Sequence, residues 1–104
     1  MIEALDACER FSRGRTREDL GSDQMFQLAL VRAIEILGEA ASKVSIETRQ
    51  AHPRVPWGNI IGMRNRLVHA YFDVNLDILW ETATRDVPFL LQMLRSLPLE
   101  STNV

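Results

Sequence analysis

One long apolar segment, residues 22–44, constrains the fold more than any other part of the sequence. Its apolar residues recur at helical spacing and cover more than the single stripe with which a helix faces one core. A helix that is apolar around most of its circumference is buried on two sides. We therefore predict a central helix that also meets a partner subunit, and Gly38, with Ala40 and Ala41, would let a neighbouring helix approach closely.

The rest of the chain supplies more helices and no sustained strand alternation. Short helical turns should begin at the capping residues Thr16 and Ser45, and Asn75 should cap the last helix. Pro88 should kink that last helix, because proline cannot donate a backbone hydrogen bond. The sequence thus predicts an all-α bundle of about four main helices with short extra turns. The main helices are expected over residues 1–11, 22–44, 56 to about 71, and 76–97, in a single domain of residues 1–104 with 98–104 as a flexible tail.

Composition narrows the class of protein. The formal net charge is −2, which argues against a protein that coats nucleic acid without specificity. The single cysteine, Cys8, cannot form an internal disulfide, and together with only two histidines it makes a zinc site unexpected. The sequence has no apolar run near the ~20 residues of a membrane span, and its start does not resemble a signal peptide. We expect a cytoplasmic protein without a metal site.

Residues 63–71, with the sequence MRNRLVHAY, carry the strongest chemical signal. From residue 49 to residue 71 the chain has four arginines, two histidines and no acidic residue. The arginine guanidinium is a rigid fork of donors that matches a phosphate, and histidine exchanges a proton near neutral pH. This combination predicts a protein that acts on a phosphodiester bond.

The spacing of these residues leaves two interpretations open. On an ideal helix Arg64 and His69 lie ~140° apart, so a loosened helix end or a two-fold dimer would be needed to bring them together. Arg66 and His69 are neighbours without either. A histidine could act as general base on a ribose 2′-hydroxyl or as general acid for the leaving 5′-oxygen, with arginine stabilising the phosphate charge. Alternatively, the arginines are solvated surface charges and His69 ends a helix.

Residues 64–71 resemble the R-x4–6-H-x-Y signature of HEPN domains, with the polar Asn65 directly after the arginine. The chain is most similar to the HepT toxin branch of that family, over roughly residues 22–98. Further segments carry the resemblance: residues 35–41 (EILGEAA), His52-Pro53 followed by Pro56-Trp57, residues 62–65 (GMRN) and residues 69–72 (HAYF).

This resemblance implies an up-and-down helical bundle in which two subunits pair so that their motifs line one cleft. It implies a metal-independent endoribonuclease that acts without a cofactor on RNA, either tRNA or mRNA, as the toxin of a type VII toxin–antitoxin system. Arg64 and His69 would carry catalysis with Asn65 in support. Arg66 and Arg54 are the further candidates for RNA binding.

The resemblance also implies a modification of Tyr71. A partner antitoxin, an MNT-type nucleotidyltransferase, would attach AMP to the tyrosine hydroxyl with ATP and magnesium. Bulk and negative charge beside Arg64 would then exclude an RNA phosphate. Tyr71 could instead be a half-buried tyrosine at a helix end. Two other functions remain as alternatives: a non-catalytic HEPN-like scaffold that binds a nucleotidyltransferase, and a generic helical dimerisation protein.

Overall fold

The computed structural model describes residues 1–67 and 74–97, and these form a helical bundle, which confirms the predicted all-α fold. The predicted tail, residues 98–104, lies outside the described residues. Four long helical stretches are present in the described part, and two shorter helices connect them. The elements are α1 (Ile2–Ser12), α2 (Arg17–Ser22), α3 (Gln24–Ser42), α4 (Ile46–Ala51), α5 (Trp57–Leu67), α6 (Leu76–Glu81), a π-helical turn (Thr82–Asp86) and α7 (Val87–Arg95).

Side-chain caps fix where four of these helices begin. The predicted caps Thr16, Ser45 and Asn75 are all confirmed, since each side chain accepts a hydrogen bond from the first turn of its helix. The fourth cap, Asp23, accepts the backbone N–H of Phe26 at 3.1 Å. Because the cap residue lies outside the helix, α3 begins at residue 24 and not at the predicted residue 22.

Helix α3 is the centre of the bundle, as predicted. Helix α1 packs against one side of it and α5 packs against another, with α7 covering α1. At Gly38 the α5 backbone comes so close that an added Cβ would lie 3.4 Å from the Ile61 carbonyl oxygen. The predicted close helix approach is therefore confirmed. The buried residues of α3 are Phe26, Leu30, Val31, Ala33, Ile34, Leu37, Gly38 and Ala41.

The predicted kink near Pro88 takes the form of a π-helical turn over Thr82–Asp86. The N–H of Val87 donates to the Thr82 carbonyl, five residues earlier, instead of four. Pro88 has no N–H with which to close the next α-turn, so a wider turn forms just before it. The helix consequently continues from α6 into α7 with one expanded turn.

Cys8 lies in the core on the buried side of α1. Burial raises the pKa of its thiol to about 12, so the thiol stays neutral. Cys8 therefore acts as a small apolar core residue. Within residues 1–67 and 74–97, no helix combines the length and the apolar character that crossing a membrane requires.

Candidate active site

The basic residues of the motif lie on the last turns of α5. Ile60, Met63 and Leu67 form its buried side, at the i, i+3, i+7 spacing of a helix packed on a core. Arg64 and Asn65 consequently fall on the exposed sides of the helix. The apolar spacing of α5 thus determines that this part of the motif points away from the core.

Arg64 lies where two grooves between α3 and α5 meet. The first, the glutamine groove, has a volume of about 550 Å³, and the second, the glycine groove, about 370 Å³. Both grooves are lined by Arg64 and by Glu35 of α3, and Asn65 lines only the glycine groove. The other residues of the glutamine groove are Gln24, Gln27, Leu28, Val31, Arg32 and Val74, and those of the glycine groove are Gly38, Glu39, Ser42 and Ile61.

The charges around Arg64 are mixed. Across the groove, Arg32 lies 3.8 Å from the Glu35 carboxylate and 3.9 Å from that of Glu39. Arg64 is exposed and has no hydrogen-bond or ion-pair partner among the residues that the structure describes. Its donors are therefore available to an anion in either groove, whereas Arg32 is shared between two carboxylates.

The structure separates Arg66 and Arg54 from Arg64. Arg66 donates to the Asn59 carbonyl at 3.3 Å and lines a groove on another side of α5, together with Phe89 of α7. Arg54 is exposed in the loop between α4 and α5 and lines neither groove that contains Arg64. The three arginines of the motif region do not form one cluster around a groove.

His69 and Tyr71 lie outside the described residues, so their roles in catalysis and modification remain predictions. The two flanks of that segment are described, and both adjoin the site. Asn75 donates its backbone N–H to the Leu67 carbonyl at 2.8 Å, which holds the flanks together. Val74 lines the glutamine groove together with Arg64. The described chain therefore resumes at this groove, just before α6.

The family model described as Ribonuclease HepT-like matches residues 1–97. The chain belongs to the HepT-like ribonuclease family. A relative from Thermococcus cleftensis named "Probable ribonuclease HepT" is 40% identical over 90 residues, covering 86% of this chain and 82% of the relative. A relative from Caldanaerobacter subterraneus named "Putative RNase" is 40% identical over 85 residues, covering 82% and 76%. These matches confirm the resemblance seen in the sequence. No solved structure matches the chain.

The site of this HepT-like chain includes residues of α3 to which the sequence alone assigned no chemistry. In the sequence, Gln27, Arg32 and Glu35 are simply polar positions on an apolar helix. Glu35 also belongs to the segment 35–41 that carries the family resemblance, which was the signal that could have identified it. The missing information was which side of α3 faces Arg64, and only the packing of α3 against α5 decides that.

The site offers hydrogen-bond donors and acceptors and no metal-binding cluster in the described part of this HepT-like chain. Across residues 1–67 and 74–97, no three side chains of His, Cys, Asp or Glu come together in a way that could hold a metal ion. The arrangement at Arg64 can bind an anion through the guanidinium, while the apolar surface of the glutamine groove can receive an uncharged ring.

Proposed function

We propose that this chain is a metal-independent endoribonuclease of the toxin type, which cleaves RNA by attack of a ribose 2′-hydroxyl. The observation that carries the proposal is the position of Arg64 in a HepT-like chain. It is exposed where two grooves meet and has no partner among the described residues. The relatives from Thermococcus and Caldanaerobacter are named as a ribonuclease and an RNase, which supports the same activity.

In the proposed mechanism His69 accepts the proton of the 2′-hydroxyl and later supplies a proton to the leaving 5′-oxygen. Arg64 binds the phosphate and stabilises the charge that develops on it, and Asn65 supports the phosphate from the adjoining glycine groove. The products would be a 2′,3′-cyclic phosphate and a 5′-hydroxyl. DNA has no 2′-hydroxyl and should not be cleaved.

We further propose that the active form is a homodimer, in which two copies of the motif line one cleft. A large apolar surface on α3 remains uncovered in the single chain, where Met25 is 82% and Ile36 is 42% exposed. Ile36→Asp should convert the dimer to a monomer in light scattering. Ile46→Asp is the matched control, because Ile46 is also an exposed isoleucine but lies on α4. A wild-type monomer at micromolar concentration would contradict the proposal.

Regulation by an MNT-type nucleotidyltransferase antitoxin is the next part of the proposal. Tyr71 is the single tyrosine of the chain. A mass gain of one AMP that disappears in Tyr71→Phe can therefore be assigned to this residue. The chain should be incubated with the antitoxin, ATP and magnesium and then analysed by intact mass. Modified protein should lose RNA cleavage. A modified protein that cleaves as fast as the unmodified one would contradict the inhibitory role.

The decisive experiment is incubation of the unmodified protein with total RNA and tRNA in EDTA, followed by analysis of the RNA ends. Cleavage to 2′,3′-cyclic phosphate ends should be lost in His69→Ala. His52→Ala is the control, since His52 is the other histidine of the chain. Cleavage that persists in His69→Ala would overturn the mechanism. No cleavage by a protein whose mass shows no AMP would favour the non-catalytic scaffold.

A further inference from the structure

We propose that the glutamine groove is a nucleobase pocket that prefers cytosine to uracil. This inference rests on the proposed function, because the base would belong to the nucleotide whose phosphate contacts Arg64. It goes further by assigning substrate selectivity to residues of α3. Glu35 and Gln27 would read the base, and Leu28 would contact its ring.

The shape of the groove suits a planar ring. Its volume of about 550 Å³ lies in the range of ~300–1,000 Å³ that is usual for small-molecule sites. Leu28, Val31 and Val74 supply apolar surface, and Leu28 is 56% exposed even though it is a large apolar side chain. The faces of a nucleobase are apolar and its edge is polar, so this surface can receive a face while the polar side chains meet the edge.

Two polar side chains of α3 that line the groove, Gln27 and Glu35, offer it hydrogen-bond acceptors. The side-chain amide nitrogen of Gln27 donates to the Leu20 carbonyl at 2.8 Å, which leaves the amide oxygen and the second N–H for a ligand. The ionised carboxylate of Glu35 can only accept hydrogen bonds. Cytosine presents an amino group where uracil presents a carbonyl oxygen, and a carboxylate is the side-chain group that accepts from that amine. A carboxylate at that position therefore favours cytosine, because in uracil it would face a second acceptor.

Arg64 and Glu35 line both grooves, so the phosphate site at Arg64 lies where the two grooves meet. Arg64 lines the glutamine groove together with Arg32, and Glu35 is the one acid among the described residues that line it. The phosphate would bind Arg64, and the neutral base would extend along α3 toward Gln27. When Glu35 accepts from the base, Arg32 retains Glu39 as its second carboxylate partner.

The first test compares the binding of cytidine and uridine monophosphates by NMR titration of the unmodified protein. These probes have the same size, so a difference between them reports hydrogen bonding. Cytidine monophosphate should bind about tenfold more tightly, the factor that one well-placed base contact provides. Glu35→Gln should abolish the preference, because the glutamine amide can donate to the uracil oxygen.

Glu39→Gln is the matched control for this substitution. Glu39 is one helical turn from Glu35 on α3 and is the other acid beside Arg32, but it lines the glycine groove and not the glutamine groove. Glu39→Gln should therefore keep the tenfold preference. Equal binding of the two nucleotides to the wild type, or equal effects of the two substitutions, would overturn the pocket.

The apolar part of the pocket has its own test. Leu28→Ala should weaken cytidine monophosphate binding several-fold, because the base loses its contact with the isobutyl group. Ile46→Ala is the control, since Ile46 is also a large exposed apolar residue but lies on α4 and does not line the glutamine groove. An unchanged affinity in Leu28→Ala would count against the pocket.

A cleavage assay separates this inference from the proposed function. The substrate is a 2′-O-methyl oligonucleotide with one ribose 2′-hydroxyl, with cytosine or uracil on either side of the cleavable bond. Faster cleavage beside cytosine, lost in Glu35→Gln, supports both proposals. Cleavage without selectivity, unaffected by Glu35→Gln, retains the ribonuclease and overturns the pocket. Absence of cleavage overturns the ribonuclease, and the nucleotide titration then decides the pocket.

Discussion

Two sides of helix α5 carry an exposed arginine, and they differ in what surrounds it. Arg64 lies between the two grooves against α3 and has no partner among the described residues. Arg66, two residues later, points ~200° away around the helix. It donates to the Asn59 carbonyl and lines a groove of about 240 Å³ with Asp86 and Phe89. Two arginines that are neighbours in the sequence therefore face different surroundings.

This difference shows that arginines close together in a sequence need not form one basic surface. Arg49 is a further example, because its guanidinium donates to three carbonyls at the end of α3, those of Ala41, Ser42 and Val44, at 2.8 to 3.2 Å. Its bond to the Ser42 carbonyl pairs a group that a helix end leaves without a partner in the helix, and its bond to the Ala41 carbonyl adds to the one from the Val44 N–H. Of the four arginines between residues 49 and 71, one caps a helix and one bonds to the backbone of its own helix.

The largest expected effect is a difference in the rate of RNA cleavage between variants on the two sides of α5. Arg64→Ala should reduce RNA cleavage about 10²–10³-fold, the usual loss when one donor to the transition state is removed. Arg66→Ala should reduce it only a few-fold, because its groove contains the acidic Asp86 and a hydrophobic ring. Initial rates on one tRNA substrate measure both variants.

Two further variants sharpen this result. Arg64→Lys keeps the positive charge and loses the bidentate fork, so its rate should lie between those of the wild type and Arg64→Ala. Arg85→Ala removes an exposed arginine of the π-helical turn and should leave the rate unchanged. An equal loss in Arg64→Ala and Arg66→Ala would mean that the two sides of α5 contribute alike.

The second prediction concerns how much the close packing of α5 against α3, on the Arg64 side, contributes to the stability of the protein. Gly38→Leu should destabilise the protein by roughly 1–3 kcal/mol, because its side chain would press on the Ile60 and Ile61 carbonyls. Gly62→Ala is the contrast, since an added Cβ there meets no atom within 4 Å. It should stabilise the helix by up to ~1 kcal/mol. Urea unfolding of both variants measures these changes.

Gly38→Leu should also move α5 away from α3 and so reduce cleavage, whereas Gly62→Ala should retain it. A Gly38→Leu protein with wild-type stability would show that the two helices can separate without cost. That outcome would argue against a site in which close packing on α3 fixes the position of Arg64.

The smallest expected effect is a pH dependence at the start of α3, which forms the other wall of the glutamine groove. Hydrogen bonds from the Arg15 guanidinium and then from the Phe26 N–H lower the pKa of Asp23. The stabilisation is complete above the ordinary aspartate pKa of about 3.9. It is lost as the pH falls through the lowered pKa, because protonated Asp23 is a weaker acceptor for its two partners.

An NMR titration of the Phe26 amide shift should show this transition below pH 3.9. In Arg15→Gln the transition should move up toward the ordinary aspartate value, because the largest cause of the shift has been removed. A wild-type transition at pH 4 or above would contradict the cap. The Asn59 amide, on the Arg66 side of α5, should show no transition of Asp23.

Much of the fold could be predicted because its causes are local. The caps Thr16, Ser45 and Asn75 act on the turn that follows each of them, and Pro88 acts on the turn that precedes it. Gly38 could be identified as a contact point because glycine in a long apolar helix favours a close neighbour. The family could be identified from the order of residues alone, since residues 64–71 and the flanking segments are continuous stretches of sequence.

Only part of the candidate site could be predicted from the sequence, and the reason is geometric. Arg64, Asn65 and His69 belong to one segment, so their residue types indicated phosphodiester chemistry. Glu35, Gln27 and Leu28 are about 30 residues or more away along the chain, and their relevance depends on which side of α3 faces α5. A long apolar helix can present several sides to its neighbours, and its sequence does not choose between them.

The sequence by itself determined most of the helices, the caps Thr16, Ser45 and Asn75, the family and the residue types that suggest phosphodiester chemistry. These properties depend on backbone preferences and on chemistry that each residue carries with it. Only the tertiary structure decided that Arg64 opens onto two grooves, that Arg66 lies on another side of α5, and that Arg49 caps α3. Those properties depend on distances between helices, which the packing of the whole core sets at once.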